Sequence, residues 1–208
     1  MIGLQFAWHT QNVRLLRYIE LSPVVILLAF SSLQSFPDYP ARLAKECPVS
    51  SQKLGVAIGL EPVESSEAQK MYYHSDLAKK GFVPVLVVIE NGRAADSLIF
   101  DKAKVTYGPA DSAPSIPPAA PGAAKMIAVA AIPVLGVFAS AQMISDSSEA
   151  RQNLLRKEIR STTLSPGTPT RGFLYLAIPK KTPRGKIALR VPIAKAGTDE
   201  TFEINLVF

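Results

Sequence analysis

Pro84 to Gly92, PVLVVIENG, is the stretch whose reading decides the fold. The apolar run is short and rich in valine and isoleucine, which makes it a strand rather than a helix. It does not alternate, so both faces of this strand are expected to be buried. Asn91-Gly92 ends it with a strong turn signal.

Working outward, the neighbouring segments also read as β. LGVAIGLEPV (Leu54 to Val63) precedes it, and Gly55 and Gly59 within that run are expected to be close-packing positions of a strand, since the phosphate-loop glycine pattern is missing. KAKVTY places Ala103, Val105 and Tyr107 on one face. Further on, Pro166-Gly167 turns into GFLYLAI. KIALRVPIA puts Ile187, Leu189, Val191 and Ile193 on one face, and TFEINLVF does the same with Phe202, Ile204, Leu206 and Phe208. Period-two alternation of that length marks half-buried antiparallel strands. Between the first two strands, SSEAQKMYYHSDLAKK is expected to be a short helix with Ser65 or Ser66 as N-cap and Gly81 as its end.

Between the two sets of strands lies KMIAVAAIPVLGVFASAQM, Lys125 to Met143. It approaches the roughly 20 residues that span a bilayer core. Pro133 and Gly136 interrupt it, and proline splits a helix by removing a donor and crowding the preceding turn. A Pro/Ala/Gly tract, SAPSIPPAAPGAA, leads in. A charged stretch, SSEARQNLLRKEIR, leads out with Leu154, Leu155 and Ile159 at helical spacing on one narrow apolar face. Three strands before this insert and three after it make two thin sheets that need each other's cover. Paired sheets lie on one side of a membrane, so a single crossing between them would tear the core apart, which outweighs the length of the run. The insert, taken as residues 109–160, is therefore expected to hold a broken helical hairpin that packs on the sandwich or dips into an interface. The competing topology puts the basic C-terminal half in the cytosol, in keeping with the positive-inside tendency.

The N-terminal segment, residues 1–46, reads as a leader or anchor plus linker. PVVILLAFSSL, Pro23 to Leu33, follows Arg14 and Arg17 and has the layout of an export signal; an uncleaved anchor stays open beside it. Cys47 is the only cysteine, which excludes an intramolecular disulfide. Lys45 and Glu46 stand where a lipoprotein signal needs small residues, so acylation is not expected.

Composition agrees with a turn-rich β domain on an apolar background: 208 residues, 48% hydrophobic, with seventeen prolines and twelve glycines. The net charge of +6 is uneven, with eleven Lys or Arg between Arg151 and Lys195 against Glu158 alone. Such a bias suits an anionic surface, and a solvated face accounts for it too.

Two blocks, YYHSDLAKKGFVPVLVVIENG and STTLSPGTPTRGFLYLAIP, resemble a group of uncharacterised bacterial envelope proteins. The matching positions are Gly81-Phe82-Val83-Pro84-Val85, Glu90-Asn91, Thr163-Leu164-Ser165-Pro166-Gly167 and Gly172-Phe173-Leu174-Tyr175, with an Ala/Gly-rich hydrophobic insert and a charged helix between them. The resemblance covers roughly 54–208. It implies an immunoglobulin-like β-sandwich, often exported, and carries no catalytic residues.

Chemistry is sparse. His9 lies in the leader, which leaves His74 in YYHSD. Its neighbours Ser75 and Asp76 point to different faces of a helix, so a hydrolase would need remote partners. Zinc-ligand spacing and acidic calcium loops are missing. No cofactor and no small-molecule substrate are indicated. The loop PKKTPRGK gathers Lys180, Lys181, Arg184 and Lys186 without the interleaved aromatics that nucleic-acid stacking needs, so a nucleic-acid partner is not expected.

The expected protein is not an enzyme. It is a mainly β, immunoglobulin-like antiparallel sandwich spanning 47–208, on the periplasmic side of a cell envelope, acting as an accessory or assembly module. Its expected contacts with a membrane surface or membrane-protein complex are Met126, Ile127, Val129, Ile132, Val134, Leu135, Val137 and Phe138, with the four basic residues of the loop. A hydrolase using His74 and a soluble binder of an anionic polymer are the alternatives.

Overall fold

The computed structural model describes residues 37–113, 115–119, 148–178 and 185–208. Two antiparallel sheets face each other over one apolar core. The first runs in the order β1 (Val49–Lys53), β2 (Val56–Pro62), β3 (Phe82–Asn91), β7 (Thr170–Ala177). The second is built round β8 (Ile187–Lys195), with β9 (Thr201–Val207) on one side. On its other side β4 (Leu98–Phe100) and β5 (Thr106–Pro109) lie end to end, and β6 (Thr162–Leu164) pairs with β4.

The alternating strands behave as their pattern predicts. Ile187, Leu189, Val191 and Ile193 of β8 and Phe202, Ile204 and Leu206 of β9 all enter the core, opposite Val56, Ile58, Leu60, Val85, Val87, Ile89, Leu174 and Leu176 of the first sheet. The outer face of the second sheet carries exposed Ile99, Glu203, Asn205 and Val207.

The first sheet differs. Leu86 and Val88 of β3, with Phe173 and Tyr175 of β7, form a second apolar cluster on its outer face. Over them lie helices α1 (Ser66–Tyr73) and α2 (Ser148–Lys157) and the turn Ala44–Glu46. β3 is thus buried on both faces, which is why its sequence does not alternate. Tyr39 and Ala44, in the segment read as linker, belong to this layer.

Three local expectations are corrected. KAKVTY is not one strand: Lys102–Lys104 form a 3-10 turn because the Asp101 side chain accepts from Ala103 N, leaving Ala103 exposed while Val105 and Tyr107 stay buried. The break answers to Pro192. The registers Phe100↔Ile193 and Thr106↔Arg190 leave Val191 and Pro192 without a partner on that side, where a residue lacking N–H is tolerated. The helix after Ser65 ends at Tyr73, with His74 as a left-handed cap at φ 50°; Gly81 ends a separate 3-10 turn, Ala78–Lys80. Finally, Gly59 packs as expected, since a Cβ there would fall 2.7 Å from Cys47 Sγ, but Gly55 is a turn residue.

Leu54 and Gly55 are the two central residues of the β1–β2 hairpin, at φ 51° and 79°. Positive φ at both positions is the type I′ geometry, which favours Asn-Gly. Leu54 is a poor choice there and 57% exposed. Leu54→Asn should raise stability by about 1 kcal/mol, read as a higher urea midpoint at unchanged m-value.

Asn91 makes the crossing from β3 to the second sheet. It is 1% exposed. Its Nδ2 donates to Asp96 O and Leu164 O, both at 2.9 Å, and its Oδ1 accepts from Arg93 N at 2.9 Å. Asn91→Ala would strand the buried Leu164 O, at about 1–3 kcal/mol, and the half-buried Asp96 O and Arg93 N as well. Chemical denaturation should show a loss of about 3 kcal/mol or more, and a loss below about 1 kcal/mol would mean the crossing is held by something else.

Candidate functional site

The helical layer holds the densest polar and aromatic chemistry among the described residues. Tyr39 meets Tyr72 and Phe173 edge to face at centroid distances of 4.8 and 5.2 Å. Tyr73 meets Phe173 and Tyr175 at 5.5 and 6.3 Å. Lys157 Nζ sits over the rings of Tyr72 and Tyr73, 5.8 and 5.4 Å from their centroids. It donates to Pro37 O at 2.7 Å and to Tyr72 O at 2.6 Å. One turn earlier Asn153, which is buried, donates to Tyr72 O at 2.9 Å. Gln69 donates to Val63 O at 2.6 Å and accepts from Ala78 N at 2.8 Å. Together these groups clamp both helices and the segment at Pro37 to the sheet.

The inward face of α2 is therefore Ala150, Asn153 and Leu154, all buried, with half-buried Lys157 at its end, at i, i+3, i+4 and i+7. Leu155, expected on the apolar face, is 40% exposed, and Ile159 leaves the helix to join the core between the sheets. Burial, then repulsion from Arg156, lowers the Lys157 ammonium to about 8. Two carbonyls and two rings hold its nitrogen, so the group acts as a clamp between the helices and the segment at Pro37.

Two segments of the insert, one on each side of the apolar run, meet the outer edge of β7. Ala119 N donates to Tyr175 O at 2.8 Å, and Ile159 N donates to Phe173 O at 3.0 Å. Gly172 lets the second segment in, since a Cβ there would lie 2.6 Å from Ile159 Cα. Lys102 Nζ pairs with Glu158 at 2.7 Å and Lys102 N donates to Ser161 Oγ at 2.9 Å, fixing the same segment to the second sheet. The Tyr107 hydroxyl completes the edge, donating to Ala177 O at 3.2 Å and accepting from Ala177 N at 3.0 Å.

Of the expected contact residues, Met126, Ile127, Val129, Ile132, Val134, Leu135, Val137 and Phe138 lie outside the described residues, as do Lys180, Lys181 and Arg184. Lys186 is exposed at the entry to β8, and its carbonyl accepts from Ala110 N at 2.8 Å. One end of the basic loop thus stands beside the point where the chain leaves β5 for the insert. His74 is exposed. Asp76 is turned away to accept from Ser66 Oγ at 2.6 Å and from Lys79 N at 3.1 Å, which holds its carboxyl below the usual range. Cys47 is buried against Gly59, its thiol pushed up by burial and then by Glu61.

Among the described residues no three His, Cys, Asp or Glu side chains gather to hold a metal ion, and no helix is long and apolar enough to cross a membrane. Comparison with protein-family models, with curated proteins and with solved structures gives no match.

Burial raises the phenols of Tyr39, Tyr73, Tyr107 and Tyr175, that of Tyr107 to about 12. Their contribution to stability is intact below the unfolded value of 10 and is lost as pH rises above it, because only the unfolded chain then ionises. Lys157 works oppositely between about 8 and 10.5, where the unfolded chain keeps a proton that the folded one has released. Phenolate absorbance should lag pH and then rise cooperatively with unfolding above 10. The Tyr73 hydroxyl has no hydrogen-bond partner while that of Tyr175 donates to Leu154 O at 2.9 Å. Tyr73→Phe should therefore be neutral or stabilising, whereas Tyr175→Phe should cost about 1 kcal/mol.

Proposed function

We propose that the chain is a non-catalytic accessory or assembly module of the cell envelope. In this reading a β-sandwich on the periplasmic side presents the apolar stretch 126–143 and the basic loop 179–186 to a membrane surface or a membrane-protein complex. The observation that carries it is the anchoring of both flanks of the insert to one strand, Ala119 at Tyr175 and Ile159 at Phe173. The chain on either side of the apolar run thus meets the same strand. Lys186 O accepts from Ala110 N, so one end of the basic loop stands beside the chain leaving β5, and cations near an apolar segment favour an anionic headgroup layer. The apolar run at Pro23 to Leu33 after Arg14 and Arg17 supports export or anchoring.

We read the sandwich as immunoglobulin-like. Its central strands, β2-β3-β7 facing β6-β4/β5-β8-β9, follow the order A-B-E against C′-C-F-G, with β1 added outside. The insert then occupies the C–C′ connection. An insertion there lengthens a loop without breaking a pairing of the conserved strand order.

Replacing Met126 to Met143 by a short Gly/Ser linker tests the reading. The expected variant keeps the far-UV spectrum and cooperative unfolding of the parent but moves from the membrane pellet to the soluble fraction. Recovery of the parent itself wholly in the cytosol sinks the proposal, and so does unfolding of the variant, which would make the segment core.

A further inference from the structure

The chain holds four asparagines, followed by Val13, Gly92, Leu154 and Leu206. Asn91-Gly92 alone lacks a side chain to hinder attack of the following backbone nitrogen on the carboxamide carbon. In that reaction Gly92 N, having lost its proton, forms a bond to Asn91 Cγ. The Cγ–Nδ2 bond breaks and Nδ2 leaves as ammonia. Water then opens the five-membered imide at either carbonyl, giving Asp or isoaspartate. Water is the only co-reactant.

Every participant is restrained in the fold. Gly92 N donates to Gly55 O at 2.8 Å, so the nucleophile is occupied. The carboxamide is held by Asp96 O, Leu164 O and Arg93 N, and the residue is 1% exposed. Turning Cγ towards Gly92 N would break all three bonds. The product cannot return to this place. A carboxylate has no hydrogens to give Asp96 O and Leu164 O, and would set like partial charges against each other in a buried site. Isoaspartate would also lengthen the main chain by one carbon where Gly167 N donates to Asn91 O and where Asn91 pairs with Val56.

We propose that Asn91-Gly92 is a latent deamidation site, closed in the native protein, that reacts when the β3–β4 crossing opens and prevents that molecule from refolding. Time spent open is thereby written into the covalent structure. This device does not depend on the envelope reading.

The test incubates the full chain at mildly alkaline pH, native and in urea, and follows the tryptic peptide Gly81 to Arg93 by mass spectrometry. Native protein should react at least about a hundredfold slower, since opened forms of a stable domain are populated to about one part in a thousand or less. After partial reaction in urea and dilution, the folded pool, separated by protease resistance, should contain intact Asn91, with the deamidated peptide confined to the unfolded pool. Asn153 and Asn205 should stay unmodified in both. Equal rates in native and unfolded chains, or deamidated peptide shared evenly between the pools, overturns the proposal.

Discussion

The pairing of β3 with β7 is the constraint on which the rest of the structure depends. Backbone partners run from Phe82↔Ala177 to Ile89↔Thr170, joining sequence on either side of the insert. Both strands are buried on both faces, between the sandwich core and the helical layer. Remove this pair and the first sheet is a β1–β2 hairpin with a flanking strand, and neither α1 nor α2 has a surface to cover. The second sheet repeats the same logic, since β8, from beyond the insert, pairs with β4 and β5 from before it. Both halves therefore contribute to both sheets. Any membrane the chain meets must have Tyr107 and Phe173 on the same side, and Tyr107 bonded to Ala177 is a direct link between the two halves.

Such pairing costs loop closure before it yields contacts, since Val83 and Leu176 meet across most of the folded unit. A chain of this topology spends longer with unpaired apolar strands than a helical one does. β7, apolar on both faces, would be a poor edge to leave open. In the folded state it is closed by Ala119, Ile159 and the Tyr107 hydroxyl. The residues that bound the insert thus protect an edge as well as carry the segment between them.

What the sequence made legible follows from how burial imprints on it. β3 without alternation, and β8 and β9 with strict alternation, were readable because whole strands share one environment. β1, with VSSQK, and the three-residue β4 and β6 are too short or too polar to leave a period, and they are strands only because a neighbour offers hydrogen bonds. The 3-10 break at Lys102 is written partly in Pro192, ninety residues away, which no local window sees. The helical layer was less legible still. Its clamps are Gln69, Asn153 and Lys157, residue types that in a single sequence look like solvated positions. The signal available was the spacing of Asn153 and Lys157 with Ala150 and Leu154 on one face of α2. Leu155 and Ile159 are apolar at helical spacing, yet Leu155 faces solvent and Ile159 serves the other core.

The two sheet faces are unequal, and that asymmetry bears on where a partner would bind. The outer face of the first sheet is occupied by the chain's own helices. The outer face of the second alternates exposed Glu203 and Asn205 with Arg190, whose Nε lies 3.5 Å from the Glu203 carboxylate, a solvated surface with little continuous apolar area. Along the remaining edges, β1 is polar, Lys53 Nζ donates to Glu203 O on β9, and β6 has three residues. These features disfavour strand addition by a second chain. Faces and edges so protected contrast with the loop end where Ala110 N donates to Lys186 O, beside the exit from β5.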